Sequence, residues 1–142
     1  MRPTFVVLSL AAAAILALPA TASAATVKLK GTFSGKAEVP AGDPDGKGKA
    51  EITVNTKTFR VCWEYTGIKN IDKPVATHIH KAKKGSSGQI VIDFKSAKLK
   101  GCVTSTKAKT RDLVKDPKSY YANIHTAAFP GGAIRAQLAL DV

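Results

Sequence analysis

The chain has 142 residues, and 22 lysines and arginines against 10 aspartates and glutamates give it a formal net charge of +12. Such an excess favours contact with anionic polymers or anionic envelope surfaces. The basic residues are spread along the chain without interleaved aromatic residues on which bases could stack, which excludes nucleic acid as the expected partner. Carboxylates are scarce and form no obvious acid/base pair, and Ser86 and Ser87 lie in a glycine turn rather than in a nucleophile elbow. No catalytic residue is therefore predicted.

The first 24 residues have the features of a secretory signal peptide. Arg2 precedes an apolar stretch at about residues 5–18, which is too short to span a membrane, and the sequence Ala-Ser-Ala at residues 22–24 is a typical cleavage signal. Residues 25–142 then form a single domain without a second long apolar run. We expect a secreted, periplasmic or cell-envelope protein with no transmembrane segment after signal cleavage.

Apolar and polar residues alternate over several short segments of the remaining chain, a pattern typical of half-buried strands. The predicted strands are residues 27–34, 50–55, 59–66, 89–94 and 133–141. The side chains expected to face inward include Phe59, Val61, Trp63 and Tyr65, then Ile90, Ile92 and Phe94, then Ile134, Ala136, Leu138 and Leu140. Glycine and proline turns separate the strands at residues 40–46, 85–88 and 129–132.

One helix is predicted, at residues 110–116, beginning at a Thr110 cap and stopping before Pro117. Short strands at intervals of about 8 to 12 residues are typical of antiparallel sandwiches. The sequence therefore predicts an all-β antiparallel sandwich with at most one short helix.

All three histidines lie in two strand-like motifs, at residues 78–80 and 120–126. Side chains alternate between the two faces of a strand, so His78 and His80 share one face, and His125 is on the face opposite to Ile124. If the two strands are neighbours, three imidazoles meet on one surface. Imidazole nitrogen suits copper and zinc, and three histidines leave a coordination position open for water or a small anion. The lysines that follow His80 disfavour a cation by their charge.

Cys62 and Cys102 are the only cysteines. Export would place them where disulfides persist, so we predict a structural bond between them. A closed loop of roughly 40 residues corresponds to a stabilisation of about 3 to 4 kcal/mol by the chain-entropy estimate. Cys62 has the parity opposite to Trp63, so we expect the bond outside the main core, unlike in an antibody domain.

Several motifs of the chain, in order and with matching spacing, carry a family resemblance. They are Gly-Thr-Phe-Ser-Gly-Lys-Ala-Glu-Val-Pro at 31–40, Val-Cys-Trp at 61–63, Thr-His-Ile-His at 77–80, Tyr-Tyr-Ala-Asn-Ile-His-Thr at 120–126 and Phe-Pro-Gly-Gly-Ala-Ile-Arg-Ala-Gln-Leu at 129–138. Together they resemble the CHRD domain, which is repeated in chordin and occurs alone in exported bacterial proteins. The chain departs from the family pattern at Lys81-Ala82, Ala133 and Ala136. The resemblance implies that residues 25–142 are a single CHRD domain that acts as an exported binding module.

A second, weaker similarity involves the histidines and Arg135. His78, His80, His125 and Arg135 occur in the order of the copper ligands and the anion-steering arginine of copper-zinc superoxide dismutase. This similarity implies a Greek-key sandwich with Arg135 near the histidines. Arg135 shares the parity of Ala133 and Gln137, opposite to Ile134 and Leu138, so we expect its side chain to point out of the core. The bridging histidine, the zinc loop and the disulfide spacing of that enzyme are missing, so a complete dismutase site is not expected.

Three functions remain open. The first is an exported CHRD-domain module that binds copper or zinc through His78, His80 and His125. The second is a copper enzyme of superoxide dismutase type, and the third is an envelope or matrix protein that binds an unknown protein or an anionic polymer through its basic surface. The histidines could also form a hydrogen-bonded cluster with Asn123, Tyr120 and Tyr121 that pins two strands, or a patch that contacts another protein.

Overall fold

The computed structural model describes residues 25–142, so the signal peptide predicted for residues 1–24 lies outside the described residues. The elements are strands β1 (Thr26–Ser34), β2 (Lys47–Asn55), β3 (Arg60–Lys69), β4 (Pro74–Lys81), β5 (Gln89–Asp93) and β6 (Lys100–Thr104), helix α1 (Lys107–Lys115), and strands β7 (Tyr120–Thr126), β8 (Ile134–Gln137) and β9 (Ala139–Leu140). Two single 3₁₀ turns cover Gly35–Ala37 and Pro117–Ser119. The prediction of an all-β fold with one short helix is confirmed. Within residues 25–142, no helix has the length and apolar character needed to cross a membrane.

All strand pairs are antiparallel, in the order β5-β4-β7-β8-β1-β2-β3-β6, with β9 added beside β1. The non-sequential neighbours β4–β7, β8–β1 and β3–β6 give the sheet its Greek-key connections. The sheet curls so that its two halves face each other as in a sandwich. The connection between β5 and β6 closes the open side, because the Thr77 amide donates to Ser96 O and the Tyr65 amide donates to Leu99 O.

The core lies between the two halves of the sheet and contains the inward-facing apolar side chains. Its fully buried members include Leu29, Phe33, Ile52, Val54, Val61, Ile79, Ile124, Ile134 and Leu138. Trp63 stacks on Phe94 with ring centroids 4.1 Å apart, and its Nε1 donates to Lys98 O over 2.9 Å. Trp63 thus fastens the β5–β6 connection to the core.

The prediction of inward-facing residues was wrong at three positions. Ile90 is 49 % exposed, because a β-bulge between Ile79 and His80 of the β4–β5 pair shifts the alternation along β5. Leu140 is 44 % exposed, because the strand is interrupted at Leu138 and resumes as β9 against β1. Phe59 has a φ of 59° and lies in the turn before β3, where it is only partly buried and does not belong to the core.

The predicted helix is present, but it begins three residues before Thr110 and ends at Lys115, one residue before the predicted end. It covers Lys107–Lys115, and Thr106 is the N-cap, with its side chain accepting from the Lys109 amide. Thr110, the predicted cap, is instead buried in the helix, and its hydroxyl donates to the carbonyls of Thr106 and Lys107. Threonine is a favoured N-cap residue at either position, and only the tertiary structure decides which of the two caps the helix.

The predicted disulfide between Cys62 and Cys102 is confirmed. The two residues are directly opposite in the β3–β6 pair. Trp63 is only 4 % exposed and belongs to the core, so the neighbouring Cys62 faces the other side of the sheet. The bond therefore ties the edge strand β6 to β3 from outside the core, as its parity predicts.

Candidate metal centre

The three histidines converge on one face of the sheet, at the β4–β7 pair. In the register of this pair, His78 is opposite Asn123, His80 is opposite Tyr121, and His125 is opposite Ala76. One ring nitrogen from each histidine lies within 4.8 Å of the others. His80 is 8 % exposed, whereas His78 and His125 are half-buried. The site is therefore a surface site with one buried ring at its base.

The ring nitrogens that point away from the centre all face hydrogen-bond acceptors. His80 Nδ1 lies 2.9 Å from Gly88 O, and His125 Nδ1 lies 2.9 Å from Pro130 O. A carbonyl oxygen can only accept, so in the neutral form of each ring the proton lies on Nδ1 and Nε2 keeps the lone pair. His78 Nε2 faces Asp93 Oδ1 at a longer 3.7 Å. Such outward acceptors orient the rings of metal-binding histidines.

The nitrogens that point toward the centre have too few hydrogen-bond donors near them. His80 Nε2 and His125 Nε2 lie 3.0 and 3.1 Å from the same oxygen, Asn123 Oδ1. His125 Nε2 also lies 3.1 Å from His78 Nδ1. Lone pairs this close repel one another unless a proton or a cation lies among them. Rotation of the Asn123 amide would turn its NH₂ toward the histidines instead, which is the arrangement of a purely structural cluster.

The spacing is close to that of a metal site but somewhat wider. Two nitrogens bound to a common ion at about 2.0 to 2.1 Å can be separated by at most about 4.2 Å. The 3.1 Å between His78 Nδ1 and His125 Nε2 is within this limit, and the outermost pair, within 4.8 Å, would have to move closer by at most about 0.6 Å to meet it. Burial is the main cause that lowers the pKa of both His78 and His80, which favours the neutral imidazole that a metal requires.

Arg135 is on the face opposite to Ile134, as its parity predicts, but it is 1 % exposed rather than open to solvent. Its guanidinium carbon lies 3.5 Å from the centroid of the Tyr121 ring, and that ring stacks on His80 with centroids 4.9 Å apart. The donors of Arg135 bind Ser86 O, Lys83 O and the Gln137 side chain. The guanidinium is buried and its donors are already used in these bonds, so it is not accessible to an incoming anion. The anion-steering role stays a prediction without geometric support.

Glu38 is a buried acid of this region that no motif of the sequence marks as functional. It is 5 % exposed, and its Oε1 atom has no hydrogen-bond partner among residues 25–142. Gly132 leaves room for it, since a Cβ there would collide with the carboxyl group. Burial raises the pKa of Glu38 to about 7, and contacts with Asn123 and Arg135 partly oppose this rise. The only signal in the sequence is one acid in the motif at 31–40.

The comparisons with known proteins identify a family. The CHRD domain profile matches residues 29–138, which is most of the chain, and the chain belongs to the CHRD domain family. Comparison with curated proteins gives no match, and comparison with solved structures gives none either. The exported bacterial form and the similarity to copper-zinc superoxide dismutase stay predictions.

Proposed function

We propose that this CHRD domain protein is an extracellular module that binds Cu(II) or Zn(II) through His78, His80 and His125. The observation that carries the proposal is the arrangement of the ring nitrogens. Backbone carbonyls hold the protons of His80 and His125 on the outward nitrogens, and the inward nitrogens converge with too few donors among them. A divalent cation would satisfy all three lone pairs at once.

Among divalent ions, Cu(II) should bind more tightly than Zn(II), because nitrogen sites follow the Irving–Williams order. The three imidazoles would hold the ion, and a bound ion would supply a Lewis acid with an open coordination position. Asp93 faces His78 and Glu38 lies beside Asn123, but neither acid belongs to the group of three histidines that could hold an ion. The site would therefore be neutral in its ligands and would keep the full charge of the ion.

An extracellular location is part of the proposal. The family and the Cys62–Cys102 bond fit an extracellular protein, since disulfides persist in oxidising compartments. The signal peptide at residues 1–24 is the proposed route of export. N-terminal sequencing of protein recovered outside the cytoplasm tests this step, and a start at or near Ala25 is expected.

The test of metal binding is calorimetric titration of the metal-free protein with Cu(II) and with Zn(II). We expect one ion per chain and a loss of at least tenfold in affinity for His125→Gln, which removes a half-buried ligand with little change in packing. Lys81→Gln is the matched control, because Lys81 adjoins His80 but is exposed on the surface. Removal of its positive charge should leave binding unchanged or slightly tighter.

Equal binding by the wild type and the variant would contradict the proposal. If the wild type and His125→Gln bind both ions equally weakly, the histidines are a structural cluster. In that case His125→Gln should lower the free energy of unfolding by about 0.5 to 1.5 kcal/mol through its lost hydrogen bonds, with no dependence on added metal.

A further inference from the structure

The loop that joins β4 to β5, residues 82–88, is tied down by two side chains of β8. Arg135 donates from Nη1 to Ser86 O over 2.7 Å and from Nη2 to Lys83 O over 2.9 Å. Gln137 donates to Ala82 O over 2.9 Å and accepts from Arg135 Nη2 over 2.8 Å. Three carbonyls of a surface loop are thus bound from below by two neighbouring side chains. Burial of the Arg135 guanidinium costs desolvation free energy, and the hydrogen bonds that offset this cost also fix the position of the loop.

The same loop ends at the group that orients His80. Gly88 O accepts from His80 Nδ1, and the Gly88 amide donates to the Tyr121 hydroxyl over 3.3 Å. The Tyr121 ring is nearly parallel to the His80 ring, at 6°, and also contacts the Arg135 guanidinium. Arg135 therefore reaches His80 by two routes, through the loop and through the Tyr121 ring.

We propose that Arg135 is a positioning residue of the three-histidine site, which fixes the tautomer and ring orientation of His80 by holding the 82–88 loop in place. This inference rests on the proposed metal-binding function. While Gly88 O remains beside Nδ1, the proton stays on Nδ1 and Nε2 keeps its lone pair directed at the centre. If the loop moves away, the proton can shift to Nε2 and the ring can rotate, and the buried ligand is lost.

The charge of Arg135 acts in the opposite direction to its positioning role. A guanidinium this close to the histidines repels an incoming cation. A residue that acted only through its charge would therefore weaken metal binding, and its removal would strengthen it. A residue that positions His80 would weaken binding when it is removed. The sign of the effect separates the two roles.

The experiment compares Arg135→Gln and Arg135→Lys with the wild type by titration with Cu(II) and Zn(II). We expect Arg135→Gln to lose about 10- to 100-fold in affinity, as for other partners outside the ligand shell. Arg135→Lys keeps the charge but not the planar fork that reaches two carbonyls, so it should also lose affinity. Lys84→Gln removes one positive charge from the same loop at an exposed position and should not lose affinity.

A second variant and a second measurement guard against misfolding. Tyr121→Phe keeps the ring stack and removes only the acceptor of the Gly88 amide, so it should fold and lose less affinity than Arg135→Gln. In addition, the ¹⁵N chemical shifts of His80 in the metal-free protein report its tautomer. The wild type should carry the proton on Nδ1, and the Arg135 variants should show a mixture of tautomers.

Two kinds of failure can be told apart. If the wild type binds no metal, the proposed function is wrong, and the His80 tautomer still decides whether Arg135 positions the ring. If the wild type binds metal but Arg135→Gln binds equally or more tightly, or Arg135→Lys matches the wild type, the positioning role is overturned and the metal site stands.

Discussion

The carboxyl group of Glu38 makes the stability of this protein depend on pH in a direction that is unusual for an acid. Burial is the largest cause that raises its pKa, from 4.5 to about 7, while Asn123 and Arg135 act the other way. Between these two pH values the unfolded chain loses the proton and the folded chain keeps it. Folding is therefore most favourable, as far as this group is concerned, below pH 4.5, and it becomes less favourable as the pH rises toward 7.

The size of the effect follows from the two pKa values. One pKa unit corresponds to about 1.4 kcal/mol, so the rise to about 7 corresponds to a loss of at most about 3 kcal/mol between pH 4.5 and pH 8. Glu38→Gln has nearly the same shape and cannot ionise. Relative to the wild type, its free energy of unfolding should be similar at pH 4.5 and higher by up to about 3 kcal/mol at pH 8.

Urea unfolding at pH 4.5, 6 and 8, in the presence of a chelator, measures this difference. Glu51→Gln is the control, because Glu51 is an exposed carboxylate whose contact with Lys28 lies on the surface, and its effect should stay within about 0.5 kcal/mol at every pH. A Glu38→Gln protein that is clearly less stable than the wild type at pH 8 would refute the reasoning. It would mean that Glu38 is ionised in the folded protein and stabilised by Arg135.

Two further predictions concern the β3–β6 edge. Replacement of both Cys62 and Cys102 by alanine should lower the free energy of unfolding by about 3 to 4 kcal/mol in urea, and a reducing agent should destabilise the wild type but not the variant; equal responses to reduction would contradict this. Gly101→Ala should cost about 1 to 3 kcal/mol, because its Cβ would lie 2.6 Å from Cη2 of Trp63. Unfolding followed by tryptophan fluorescence measures the change, and an unaltered midpoint would show that the Trp63 ring can move aside.

Strand alternation was sufficient to predict much of the fold and the common face of the histidines. Val61, Trp63 and Tyr65 are buried as their spacing requires, and His78 and His80 share a face for the same reason. The prediction was wrong at Ile90 because alternation assumes a regular ladder, and one extra residue in a bulge reverses the faces beyond it. No local pattern in the sequence predicts that extra residue.

The burial of the outer face of the sheet at Arg135 could also not be predicted from the sequence. Parity correctly places Arg135 on the face opposite to Ile134, but parity does not say whether that face meets water. The loop at residues 82–88 covers it, through bonds between sequence positions about 50 residues apart. Glu38 was missed for the same reason, since its burial depends on contacts with Asn123 and Arg135 that join distant segments.

Asn123 connects Glu38 to the three histidines. This contact couples the unfolding experiments on Glu38 to the metal titrations, so the two must be carried out under separate conditions. Its Oδ1 atom faces His80 Nε2 and His125 Nε2, while its side chain also contacts the Glu38 carboxyl group. An ionised Glu38 accepts from the amide and leaves Oδ1 toward the histidines, whereas a neutral Glu38 can donate and turn the NH₂ toward them. A cation among the histidines favours the first state. If metal binds at the histidines as proposed, trace amounts would favour the ionised form of Glu38 and reduce the gain in stability of Glu38→Gln. Unfolding must therefore be measured without metal, and titrations at a fixed pH.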